Sequence, residues 1–433
     1  MVFPENIFRS LSFGVKNSLM KSGTGTILFL PDLFLLPDRL INFKSSYIKH
    51  KINHKRKILF MNTQHYSRRQ FTSQLLGGSI TLGLSPLLFA QKPLISEDEI
   101  DWYDVKEIGV EGKGWTDTQR YFDRFPSKAE GLVRDAVWDL SRHSAGMCMR
   151  FLSDSPNIYV RYNLYLERLA MSHMPATGVS GLDLYANDNQ GIDRWVSVVK
   201  PNKQEMETAI AKNLAPGTRR YTLYLPLYNG VDSLEIGVPK GESFKALPPR
   251  KEKPILFYGT SIMHGACASR PGMAFPAILG RRLRRPTINL GFSGNGRMEI
   301  EVAALLAEQD PCAYVIDCLP NMNETTVTER TIPLVKKLRQ AHDKTPILLV
   351  EDRSFTNTSF FPHRKSHHQK SRAALKKAYA ELNDAGVGNL YYLDGDHLLG
   401  HDGEGATDGS HPSDLGMLRY ADNYEPVLRS ILN

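Results

Sequence analysis

The chain has 433 residues, 41% of them hydrophobic and 23% charged, a composition that excludes a disordered or fibrous protein and leaves room for two domains and a terminal segment. Its formal charge of +8 is local: residues 1–90 hold 12 Lys+Arg against 3 Asp+Glu, and residues 91–433 balance to −1. A near-neutral body lacks the clustered cations that bind a phosphate backbone, so no nucleic-acid partner is expected.

In chain order, the stretch Thr26 to Leu36 is apolar but broken by Pro31 and Asp32 and followed by Pro37, too short to span a bilayer. From Met61 the sequence runs to Ser67-Arg68-Arg69-Gln70-Phe71-Thr72 and then into an interrupted apolar run, Leu75 to Ala90. Paired arginines ahead of a mildly hydrophobic segment resemble a twin-arginine export signal. Met61 is therefore the expected start, with residues 1–60 a non-native extension and 61–90 a removable signal. The mature body is expected in the periplasm or outside a bacterial cell, with no stable membrane span.

Residues 91–245 show short alternating strands: Asn157 to Leu164, Leu182 to Tyr185, Trp195 to Val199, Arg220 to Leu225 and Ser233 to Val238. Period-two apolar positions separated by turn signals such as Asn229-Gly230 predict antiparallel sheets packed as a sandwich. All four tryptophans, Trp102, Trp115, Trp138 and Trp195, fall here, and core filling is the expected job of most of them. Pro239 to Lys253 reads as a linker.

Beyond it the period changes. Buried strands are predicted at Pro254 to Tyr258, Thr287 to Leu290, Ala313 to Asp317, Pro346 to Val350 and Leu390 to Leu393, with helices at Met273 to Arg285, Glu299 to Gln309, Thr326 to His342 and Lys370 to Asp384. Pro333 marks either a kink or the true start of the third helix. Strands alternating with helices over residues 253–433 predict an α/β fold, a flavodoxin-like doubly wound parallel sheet. In such sheets the ligand lies beyond the carboxyl ends of the strands.

The strand exits carry the chemistry. The first ends in Gly259-Thr260-Ser261, the second in a Gly-rich turn through Gly291, Gly294 and Gly296, the third in Asp317-Cys318-Leu319-Pro320-Asn321, and the fifth leads to Asp408-Gly-Ser-His411. A serine hydroxyl needs a base, which His411 can be, and Asp408 can fix the tautomer that turns Nε2 toward Ser261. The amides of Ser261 and Gly294 and the side chain of Asn321 can receive the oxyanion of an acyl-transfer intermediate. The glycine turn lacks the Gly-x-Gly-x-x-Gly register, so a dinucleotide is not expected.

This ordered set resembles the SGNH hydrolases, the GDSL-like esterases, over residues 253–433. By that resemblance Ser261 is the nucleophile, Gly294 and Asn321 the oxyanion residues, and Asp408 and His411 the remaining pair. Two positions depart from the pattern: Thr260 stands where Asp is usual before the nucleophile, and Leu-Pro-Asn-Met replaces Gly-x-Asn-Asp. Gly181-Leu-Asp-Leu-Tyr185 resembles the signature of a β-sandwich module that precedes this domain. Such two-domain members imply a hydrolase of small acyl esters on glycans, O-acetyl above all, with no cofactor and no metal. The alternatives are a glycan-binding protein on a hydrolase scaffold, acyl transfer to a second sugar through the same residues, and a metal-dependent hydrolase. The last would use Asp394, Asp396, His397, His401 and Asp402 with Asp408 and His411.

Arg353 and His264 are assigned to the substrate-binding wall; for Arg353 the alternatives are a loop-anchoring contact and a surface salt bridge, for His264 core packing. The loop through Phe360, Phe361, His363, Arg364, His367 and His368 is expected to overhang the cleft. Cys148, Cys267, Cys312 and Cys318 are expected to be free thiols.

Overall fold

A computed structural model describes residues 99–432, which lie within one compact unit, Phe89–Asn433. The expected extension and export signal fall outside the described residues. Among the described residues no helix is long and apolar enough to cross a membrane.

The first part holds nine strands: β1 Ile100–Asp104, β2 Cys148–Ser153, β3 Ile158–Leu164, β4 Asp183–Asn187, β5 Asp193–Val198, β6 Glu205–Ala211, β7 Arg219–Tyr224, β8 Val231–Pro239 and β9 Phe244–Leu247. They form two antiparallel sheets, ordered β1-β8-β3-β6 and β5-β4-β7-β2-β9. Ile158, Val160, Tyr162 and Leu164 of β3 face one core with Leu184 of β4 and Leu223 of β7, so the period-two pattern buries one face of each sheet against the other. The sandwich is thus the antiparallel architecture that the alternation predicts.

Two readings change. The expected linker contains β9, which pairs with β2 at the sheet edge; its charged flanks are those of an edge strand, which disguise it as a connection. Residues 109–146 are not part of the sandwich alternation. Trp115, Phe125, Ala129, Val133, Val137 and Trp138 pack into the core of the following α/β region, and Trp115 Nε1 donates to Glu308 Oε2 at 2.9 Å.

That region has five parallel strands, β10 Ile255–Gly259, β11 Thr287–Gly291, β12 Ala313–Asp317, β13 Ile347–Val350 and β14 Leu390–Leu393, ordered β11-β10-β12-β13-β14. Both faces are covered. Leu256, Tyr258, Tyr314, Ile316, Ile347 and Leu349 face the side of helices Ile300–Leu306, Glu324–Ala341 and Pro362–Asp384. Phe257, Val315, Leu348 and Val350 face helices Phe275–Arg282 and Asp414–Leu432. This is the flavodoxin-like sheet, and strands buried on both faces explain its continuous apolar runs.

Pro333 lies inside the helix Glu324–Ala341, whose start is set instead by a capping box: Asn323 Oδ1 accepts from Thr326 N at 2.9 Å, and Thr326 Oγ1 accepts from Asn323 N at 3.0 Å. The helix expected from Lys370 begins eight residues earlier, at Pro362, so most of the expected overhanging loop is helical. Its first two turns are almost all polar, which hides their periodicity.

Candidate active site

Ser261 stands at the abrupt exit of β10. A Cβ on Gly259 would lie 2.6 Å from the Asp317 carbonyl oxygen and 2.9 Å from Met263 Cβ, so the turn requires glycine there. Thr260, the departure from the family pattern, acts as the helix cap: its Oγ1 accepts from Ile262 N at 3.3 Å. Ser261 is 7% exposed and opens the short helix Ser261–His264.

His411 arrives on the loop before the last helix, 150 residues away in sequence, with its Nε2 2.8 Å from Ser261 Oγ. Its Nδ1 lies 2.7 Å from Asp408 Oδ2, while the backbone N–H groups of His411 and Ser410 donate to Asp408 Oδ1 at 2.8 and 3.0 Å. Burial alone would raise the Asp408 pKa, but the hydrogen bonds from the His411 amide and ring and from Ser410 outweigh it and bring the carboxyl down to about 2. The carboxylate is therefore ionised at neutral pH and accepts from Nδ1–H, leaving the Nε2 lone pair toward the serine. This arrangement can draw the proton from Ser261 Oγ.

Gly294 sits at φ +71° on the turn after β11, open to solvent, where its backbone N–H group is free of a side chain's bulk. The hydrogen-bonding network orients the Asn321 amide with its oxygen accepting from Asn295 N at 3.0 Å and Gly296 N at 3.3 Å. That bond ties the exit of β12 to the exit of β11. The structure therefore gathers Ser261, His411, Asp408, Gly294 and Asn321 at the carboxyl edge of the sheet.

The two residues assigned to the substrate wall lie elsewhere. Arg353 is 3% exposed and packs beneath the His411 loop: its guanidinium donates to the carbonyl oxygen of Ser410 at 3.2 Å, to the Ser410 hydroxyl, and to Asp352. It is the loop anchor of its three readings, not a surface salt bridge or a cleft residue. The same Asp352 carboxylate binds His368 Nδ1 at 2.6 Å, which takes that histidine out of the expected loop and into the interior. His264 is fully buried, its Nε2 2.6 Å from the Leu227 carbonyl oxygen and its ring stacked on Tyr228 at 4.1 Å. A side chain at one turn's spacing from the serine points into the core because the helix packs that face against the sandwich side.

The sequence gives no local sign of what the first region contributes. Tyr228 Oη donates to the Ser261 carbonyl oxygen at 3.3 Å. Arg124, fully buried, donates to the carbonyl oxygens of Asn289, Gly291 and Leu140 at 3.1, 2.8 and 2.6 Å and so braces the strand that leads to Gly294. Burial brings its pKa down to about 9, still charged at neutral pH. The His173 ring is 6.0 Å from that of His411. Asp183 of the Gly-x-Asp-Leu-Tyr motif accepts from Gly272 N at 2.8 Å, Arg270 Nη1 at 2.9 Å and Trp195 Nε1 at 3.0 Å, so the motif fastens the sandwich to the segment after the serine helix.

The carboxylates and imidazoles weighed as metal ligands have other partners: Asp402 pairs with Arg419 at 2.7 Å, Asp396 with Arg372, and His397 Nδ1 lies 2.8 Å from His401 Nε2. Among the described residues no group of three or more His, Cys, Asp or Glu side chains is placed to hold a metal ion. All four cysteines are free.

A doubly wound α/β sheet behind a β-sandwich, with a serine at the first strand exit and a histidine before the last helix, defines a class, and comparison with known proteins agrees. Residues 252–429 match the GDSL-like lipase/acylhydrolase family, and residues 100–244 match the N-terminus of SGNH-hydrolase-type esterases. A GDSL-like lipase structure from Bacteroides ovatus is 34% identical with a TM-score of 0.73, covering 77% of this chain and 98% of that one. The fold also matches a salicylyl-acyltransferase from a tetracycline biosynthetic pathway, at 17% identity and a TM-score of 0.59 over 75% of this chain and 94% of that one. A family two carbohydrate esterase from Cellvibrio japonicus matches at 12% identity and a TM-score of 0.52 over 77% and 98%. No curated protein sequence matches the chain. The chain belongs to the GDSL-like lipase/acylhydrolase family of SGNH esterases, enzymes that hydrolyse ester bonds.

Proposed function

We propose that the protein is an exported serine esterase that removes small acyl groups, O-acetyl foremost, from carbohydrate. The observation that carries the reading is the chain of contacts Ser261 Oγ to His411 Nε2 at 2.8 Å and His411 Nδ1 to Asp408 at 2.7 Å. His411 takes the hydroxyl proton as Ser261 Oγ bonds to the ester carbonyl carbon. The Ser261 and Gly294 amides and the Asn321 amino group stabilise the oxyanion. Collapse breaks the ester C–O bond, and the imidazolium returns its proton to the departing sugar oxygen. Water, deprotonated by His411, then attacks the acyl-serine and releases the acid. Export is supported by the Arg68-Arg69 leader and carbohydrate by the resemblance of the two-domain arrangement.

The test is an acyl-chain and polysaccharide panel on residues 91–433. Acetate release from an acetylated glycan, and its loss in Ser261→Ala with the fold intact, is the expected result; full hydrolysis by the Ser261 variant would end the proposal.

A further inference from the structure

A cavity of about 810 Å³ lies between the second sandwich sheet and the helix Phe275–Arg282, apart from Ser261 and His411. It borders Thr287, where β11 begins, whereas the candidate active site lies past Gly291, where β11 ends. A strand of that length separates the two by about 13 Å.

Eight arginines and two acidic residues line the cavity. One carboxylate, Glu111, is shared by Arg150 at 2.8 Å and Arg250 at 2.6 Å, and Asp193 is taken by Arg220 at 3.0 Å. Arg194 pairs with Asp188 at 2.9 Å and Arg282 with Asp422 and Glu425 at 2.7 and 3.1 Å, carboxylates just outside the lining, so the positive excess that remains rests mainly on Arg281, Arg284 and Arg285, in a semi-enclosed space where a charge acts with less screening than at an open surface. Arg281 lies over the faces of Tyr185 and Tyr224 at 4.0 and 5.4 Å, its Nη2 donates to the Gly272 carbonyl oxygen at 2.7 Å, and its guanidinium also hydrogen-bonds the Tyr224 side chain. Among the described residues, no carboxylate forms an ion pair with Arg281, Arg284 or Arg285. A helix C-terminus favours cations, which accounts for basic residues at positions 281 and 282. It does not account for arginines converging on the same space from β2, β5, β7 and residue 250.

An aromatic ring at the margin of the cavity offers a face to a sugar ring. Trp195, beside the lining residues and not one of them, is 50% exposed; its indole N–H is held by Asp183 and the Arg270 guanidinium stands over one face at 5.0 Å, so the opposite face is the one offered to a sugar. By strand alternation it shares a sheet face with Asp193, and it pairs with Tyr185, both of which line the cavity. The volume lies in the range of pockets that enclose ligands of oligosaccharide size.

We propose that this cavity is a second binding site, for an acidic saccharide whose carboxylate or sulfate group is held by Arg281, Arg284 and Arg285. Guanidinium forks match such planar or trigonal oxyanions in two-point contact. The inference concerns binding alone and stands whether or not the ester reaction is as proposed above. Titration calorimetry on the full chain tests it, with a glucuronate-containing trisaccharide, a sulfated disaccharide, cellotriose and inorganic phosphate as probes. At least one acidic saccharide should bind tenfold or more tighter than cellotriose, and the two acidic probes show which oxyanion is preferred. Added salt should weaken that binding. Arg284→Glu/Arg285→Glu should weaken it at least tenfold with an unchanged Tm and unchanged ester hydrolysis, and Trp195→Ala should weaken it several-fold. Equal binding of cellotriose, binding of phosphate with neither acidic saccharide, or wild-type affinity in the double variant would overturn the assignment.

Discussion

Replacing Arg124 by Met tests whether the first region supports the ester-cleaving edge of the second. The substitution removes donors to three buried carbonyl oxygens, those of Asn289, Gly291 and Leu140, and withdraws the guanidinium from the Phe292 ring 5.0 Å away. Hydrogen bonds from a charged donor contribute about 1.5–3 kcal/mol each, but relief of the buried charge's desolvation offsets part of the loss. A net cost of about 3–5 kcal/mol follows, the loss of a charged donor from three buried carbonyl oxygens less the desolvation relieved. For a folded body of more than 300 residues this corresponds to a Tm fall of about 5–7 °C. The damage should also reach catalysis, because Gly291 leads directly to the Gly294 turn. In nitrophenyl acetate assays well below the Tm, kcat should fall about tenfold with little change in KM, as expected when transition-state donors shift slightly. Arg124→Lys, which keeps the charge but not the three-way reach, should fall between. An Arg124→Met variant melting within about 1 °C of the native protein, with native kcat, would refute the reasoning.

Asp408→Asn should retain the fold and lose about 10²–10⁴ in kcat, less than Ser261→Ala, because the amide can present N–H to Nδ1 and favour the wrong tautomer without removing the nucleophile. Arg353→Met should lower kcat about 10–100-fold through displacement of the Ser410–His411 loop, and crystallographic or NMR comparison should show His411 drawn away from Ser261. His143 is 6% exposed, and burial, then nearby Arg124, lowers its pKa to about 3. The unfolded chain charges this imidazole below about pH 6.5 and the folded one does not, so it costs stability as pH falls from there toward 3. His143→Phe should therefore reduce the steepness of acid destabilisation between pH 6 and 4 by about 1.4 kcal/mol per pH unit in urea titrations. Asp317, raised by burial to about 7, acts in the opposite direction in both proteins, so the difference in slope isolates the histidine. Equal slopes would contradict it.

The parallel sheet was legible because its strands are apolar throughout and its turns fall at small residues, and the strand exits follow from that order alone. The strands β1, β2, β6 and β9 were not: Cys-Met-Arg-Phe-Leu-Ser and Glu-Met-Glu-Thr-Ala-Ile-Ala carry little β-branched or alternating signal, and their partners across the sheet decide their state. At the site, Ser261, His411 and Asp408 could be read from local motifs. The supports Arg124 and Tyr228 could not, because each acts through a backbone carbonyl, an acceptor that every residue possesses and no pattern marks. For His264 the packing reading holds and the cleft-wall reading does not: spacing from the serine fixes its helix face but not what that face meets.

The Trp115–Trp138 stretch has a consequence for how the gene can be cut. Family matching draws its border near residue 250, yet Phe125, Val137 and Trp138, encoded upstream, fill the interior of the downstream half. A polypeptide begun at that border would carry an open oily trough along one flank of its sheet and clump rather than act. Inheritance joins two modules here, but the ribosome must deliver the first before the second can settle.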